Sequence, residues 1–137
     1  MSNTARLKAK YESLFKQAAG LCSEFSRLVL EDLAKANQKE ADAKATADRA
    51  RTEADKARAA AKLAEATKTA DQVHARAWNL AAKGLNQAAR KAYEAGNDWR
   101  RAEHDATGRL VSPLHIHVEI SHDRITVDDL VTIRRKR

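Results

Sequence analysis

Apolar side chains recur along the first third of the chain at the period of a helix. Leu7, Leu14, Leu21 and Leu28 stand at spacing seven, Tyr11, Ala18 and Phe25 fall between them, and Phe15, Cys22 and Val29 widen the stripe. This is the pattern of an amphipathic helix with one buried face. Ser2, Asn3 and Thr4 offer N-caps for it. Gly20 sits inside it at a cost of about 1 kcal/mol relative to Ala, which does not outweigh the pattern. One seven-residue column runs much further: Phe15, Cys22, Val29, Ala36, Ala43, Ala50, Ala57, Ala64, Asp71, Trp78, Leu85, Ala92 and Trp99, broken by Asp71 alone. A run of that length predicts coiled-coil packing with a left-handed supercoil.

The break in the column predicts where the chain turns. Thr67, Lys68 and Asp71 are polar, and Thr69 followed by Gln72 has the spacing of a capping box. A helix–helix turn is therefore expected at residues 67–71. Asn37 with Glu40, and Thr52 with Asp55, have similar spacing and define a rival three-helix bundle. A single unbroken helix pairing with a second copy is the other rival. The second helix is expected from residue 70 to residue 107, stopped by Gly108 with Ser112-Pro113 beyond.

In such a hairpin Trp78, Leu85 and Trp99 face Ala43, Ala50, Ala57 and Ala64, large against small. The second helix is then the shorter one. It leaves a stripe of Leu7, Leu14, Phe15, Leu21, Phe25, Leu28 and Leu33 projecting past its end. Such a stripe spans ~40 Å at 1.5 Å per residue, more apolar surface than monomers normally expose. The expectation is that it contacts a copy of the chain or another protein.

After Pro113 the period changes from helical to two. Ile116, Val118 and Ile120 alternate with His115, His117 and Glu119. A turn at His122-Asp123 pairs Ile120 with Ile125 and Val118 with Val127, and sets Glu119 opposite Thr126 and His117 opposite Asp128. Residues 129–137 read equally as a third strand or a short helix. The fold class is thus mainly α: a long antiparallel helical hairpin over residues 1–109, then a small β-hairpin with a basic tail over residues 110–137.

Composition changes this picture little. The 137 residues are 43% hydrophobic, much of it alanine, with 4% aromatic and 33% charged side chains. That mixture suits an elongated helical protein better than a rounded core. Net charge is +7, spread along helices of mixed sign, and only residues 134–137 form a like-charged block. Cys22 is the single cysteine and reads as a small apolar filler. The N-terminus lacks the apolar run of a signal peptide, and no segment approaches the ~20 apolar residues of a membrane span. The expected location is the cytoplasm or a larger particle.

Chemistry is sparse. His115-x-His117, with Glu119 and Asp128 nearby, is a weak metal candidate. Exposed histidines on a polar strand face are the favoured reading, so no metal is assigned. The order of helices then β, with this His-x-His, resembles trimeric phage fibres and spikes, some of which bind an ion through such a motif from three chains. The likeness covers three residues and the order of elements. The basic tail reads as a solvated, dispensable end in preference to a phosphate contact. No aromatic residues are interleaved with its charges, so no stacking platform for a single strand is indicated. Trp78 and Trp99 read as core. His104-Asp105 has no nucleophile in register, and the phosphate-loop, nucleophile-elbow and zinc-cysteine patterns do not occur. The expected function is a non-enzymatic structural or adaptor protein, without a cofactor, that assembles through helix packing. A nucleic-acid-associated basic protein is the alternative, and a metal-bearing trimeric tip the third reading.

Overall fold

The computed structural model describes residues 2–136. Two long helices, of 47 and 55 residues, pack against each other, and a small three-stranded antiparallel sheet follows them. The first helix comprises α1 (Asn3–Arg27), a π-helical segment π1 (Leu28–Leu33) and α2 (Ala34–Arg49). The second comprises α3 (Glu53–Asn79), a π-helical segment π2 (Leu80–Leu85) and α4 (Asn86–Thr107). Ser2 caps the start, its hydroxyl accepting from the Ala5 amide at 3.1 Å. Gly108 ends the second helix in the left-handed region at φ 73°, a conformation that suits a residue without a Cβ.

The turn lies at residues 50–52, not at 67–71. Ala50 leaves the helix with ψ 134° and Thr52 is extended with ψ 155°. The Thr52 hydroxyl accepts from the Asp55 amide at 3.1 Å. Glu53 and Asp55 sit in the first turn that follows, where carboxylates are favoured by the helix dipole. Of the three candidate turn caps in the sequence, this one acts. Thr69 lies inside α3, and its hydroxyl donates back to the Glu65 carbonyl at 3.1 Å instead of starting a helix. Asn37 and Glu40 lie within α2.

The π segments re-phase both apolar stripes. In the first helix Tyr11, Ala18 and Phe25 are buried at spacing seven, and the next buried residue of that column is Leu33, eight further on. In the second, Ala70 and Ala77 are followed by Leu85 and Ala92, again with one step of eight. Each π turn inserts one residue into the seven-residue pattern. The long column in the sequence therefore joins positions from different faces. Ala43 and Ala50 are half-buried near the turn and Leu85 is fully buried, but Ala57 and Ala64 are exposed. Ala59, Ala70, Ala77 and Ala81 occupy the seam in their place.

The sheet has strands β1 (Val118–Ile120), β2 (Arg124–Val127) and β3 (Val131–Arg134) in sequence order. Val118 pairs with Val127, Glu119 with Thr126 and Ile120 with Ile125, the register the alternation predicts. β3 settles the segment the sequence leaves open, with Ile125 paired to Ile133 and Val127 to Val131. Asp128 and Asp129 make the intervening turn at φ 52° and 58°. Asp is among the few residue types that enter this region readily. The inner face of the sheet, Ile125, Val127, Val131 and Ile133, packs with Phe25, Leu28, Leu33, Ala77, Ala81 and Leu85 in one core. That core sits at the level of the two π segments.

Candidate functional site

The stripe expected to recruit a partner is buried within its own chain at one end and half-buried at the other. Phe25 is fully buried, and Leu28 and Leu33 are nearly so. Leu21 packs against the same core, while Leu7, Leu14 and Phe15 are half-buried. The reason is the position of the turn. With the fold-back at residues 50–52 the second helix is the longer one and reaches the start of the first. Tyr11 stacks on Trp99 with ring centroids 5.5 Å apart, and the Lys8 ammonium lies 5.7 Å from the Trp99 ring.

The C-terminal segment supplies the remaining cover. Val111 is buried, and Pro113 lies over Gly96, where an added Cβ would stand 3.0 Å from the Pro113 Cβ and 3.2 Å from the Tyr11 ring. The Tyr11 hydroxyl donates to the Leu114 carbonyl at 2.5 Å. Burial pushes the Tyr11 phenol above its ordinary pKa. Cys22 packs against the core as the sequence suggests, and its thiol is pushed up by burial and, secondarily, by the Asp128 carboxylate.

The basic tail is docked, which corrects the expectation of a free end. The Arg134 carbonyl lies 2.6 Å from a His74 ring nitrogen. The Arg135 guanidinium sits 4.9 Å above Trp78, whose other neighbour is the His74 ring at 6.2 Å. Lys136 pairs with Asp71 and, at 3.8 Å, with Glu40. Arg137 lies outside the described residues. Trp78 therefore packs against the core and also serves as a platform for the tail. Asp71, the residue that breaks the sequence column, is an anchor on the second helix.

His115 and His117 stand 6.4 Å apart, ring to ring, at 70°. The His117 amide donates to the Asp128 carboxylate at 2.7 Å and its carbonyl accepts from the Asp128 amide at 2.8 Å, so this pair meets as expected. Among the described residues no three His, Cys, Asp or Glu side chains are grouped to hold a metal. Sequence reading missed the partner of His115, the ring of Tyr93, which meets it edge-on at 5.5 Å. Twenty-two positions separate the two residues in the chain, and only the return of residues 109–117 along α4 joins them.

Two open surfaces among the described residues combine several aligned side chains. On α3, Ala54, Ala57, Ala61 and Ala64 are exposed at helical spacing, on the arm beyond the docked tail. Between α4 and residues 111–118 lie two adjoining hollows of about 260 and 350 Å³. No helix among the described residues is long and apolar enough to cross a membrane. Comparison with protein-family models, with curated proteins and with solved structures found no match for this chain.

Proposed function

We propose that this chain is a non-enzymatic structural or adaptor protein that assembles into a larger complex by helix–helix packing, and that its first partner is a second copy of itself. The observation that carries this reading is the alanine face of α3. Ala54, Ala57, Ala61 and Ala64 point away from the intrachain seam at Ala59, on an arm that neither the sheet nor the tail braces. Small side chains let a second helix approach closely along such a face. The flanking charges alternate in sign. Glu53 pairs with Lys56 at 3.8 Å, and Asp55 with Arg58 at 2.5 Å. Lys62 and Glu65 follow. Flanking charges of both signs set register and orientation between helices. Residues 7–33 carry less of this reading, because Phe25, Leu28 and Leu33 are buried within the chain.

The test is sedimentation at several concentrations, for the parent and for a variant carrying Ala57→Glu and Ala61→Glu. Both sites are exposed, so circular dichroism should be unchanged. The expected outcome is a parent mass that rises with concentration and a variant that stays at the mass of one chain. A parent that remains a single chain throughout contradicts self-assembly through this face.

A further inference from the structure

The groove between α4 and the returning segment gathers groups that the sequence keeps apart. Along α4, Asn86, Arg90, Tyr93, Asn97 and Arg100 follow at steps of three and four, so they share one face. All five line the two hollows, which meet at Tyr93 and His115. His117 lines the larger hollow on the opposite wall. Among the described residues no Asp or Glu lines either hollow. The ion pairs of the described residues involve neither Arg90 nor Arg100. Two guanidiniums thus stand free of carboxylates beside an aromatic ring that is 51% exposed. The opposite wall is fixed in place by the Tyr11–Leu114 hydrogen bond and by Pro113 on Gly96.

We propose that this groove binds a single strand of nucleic acid, with phosphates on Arg90 and Arg100 and a base stacked on Tyr93. Charge selects a polyanion, since the walls offer only neutral and basic groups and the whole chain carries +7. The ring selects a ligand with flat faces, because base–aromatic stacking accepts any base. The Asn86 and Asn97 amides add donors and acceptors suited to base edges. Length selects a chain over a compact anion. Arg90 and Arg100 are ten residues apart, ~15 Å along the helix, and the hollows lie in line between them. This is the interleaving of basic and aromatic groups that the tail lacks, assembled here across the fold.

Anisotropy of a labelled single-stranded oligonucleotide, read at several salt concentrations, tests the proposal. The parent should bind, more weakly as salt rises. Arg90→Gln with Arg100→Gln should lose at least about tenfold in affinity and flatten the log–log salt slope by roughly 1.4, about 0.7 for each lost phosphate contact. Tyr93→Ala should lose roughly five- to a hundredfold with the salt slope unchanged. Lys39→Gln with Lys62→Gln removes the same charge from the arm and should change little. All sites are exposed, and circular dichroism confirms the fold of each variant. The proposal is overturned if the parent does not bind or if the arm control loses as much as the arginine pair. It is equally overturned if Tyr93→Ala binds as the parent does. It also fails if polyglutamate, or vesicles of anionic phospholipid, displace the oligonucleotide at matched charge.

Discussion

Two helical glycines show how far local contact decides the effect of a side chain. A Cβ added at Gly20 meets nothing within 4 Å, whereas one added at Gly96 meets Pro113 at 3.0 Å and Tyr11 at 3.2 Å. Replacing a helix-interior glycine by alanine contributes about 1 kcal/mol from propensity alone. Gly20→Ala is expected to raise stability by about that amount. Gly96→Ala is expected to lower it, because overpacking costs typically ~1–3 kcal/mol and the added methyl would press on both Pro113 and the Tyr11 ring. Urea denaturation of the two variants checks this. An equal rise in both would mean that residues 111–114 do not lie against α4. Spacing along the helices does not reveal this difference, since it comes from a segment that follows Gly96 by seventeen residues.

The helices were legible and their phase was not. Amphipathic spacing, the Ser2 cap and the Gly108 stop all lie within a few residues of where they act, and each is found in place. The period-two alternation likewise gives the β1–β2 register directly. The turn and the seam failed together, for one reason. A seven-residue rule carried through π1, the loop at residues 50–52 and π2 loses its phase at each, and a drift of one residue moves a helical position by about 100°. By that rule the break at Asp71 reads as a turn, whereas it marks the anchor for Lys136. Thr52 with Asp55 carried the right signal, but it competed with two sequences of similar spacing. Docking of the tail was hidden because Trp78, His74, Glu40 and Asp71 are all remote in sequence from the residues they hold.

The π segments give a prediction specific to this element. Leu30 lies in π1 and is 62% exposed. Deleting it should heal the wide turn into regular α-helix while keeping Tyr11, Ala18 and Phe25 in phase with Leu33. Deleting Gln17, an exposed residue of α1, should instead rotate everything before it by about 100° and carry Tyr11 and Leu7 out of the seam. Thermal unfolding should show the Leu30 deletion as clearly the more stable of the two. The opposite order would mean that the step of eight is not an inserted residue.

At the scale of the whole molecule, the main consequence of the turn is self-sufficiency of the apolar stripe. A hairpin folded at residues 50–52 has a second helix long enough to reach residue 7, and a C-terminal segment that returns along it. One chain then closes its own core. The alanine arm and the α4 groove stay open, and the two proposals belong to those two surfaces. They are separable, since Ala57 and Ala61 lie on α3 near the turn while Arg90, Tyr93 and Arg100 lie on α4.

The fold-back itself is most directly measured as a distance. Ala5 and Ala106, both exposed, line one hollow at the open end of the hairpin. Spin labels on Ala5→Cys and Ala106→Cys, in a Cys22→Ala background and diluted with unlabelled protein, report that intrachain separation by pulsed electron resonance. The expected result is a single short distance, below about 25 Å, the width of two packed helices. A turn at residues 67–71 would set Ala106 level with residue 32, leaving the labels ~40 Å apart. An unbroken helix would separate them by ~150 Å. Either longer distance would contradict the self-covered hairpin.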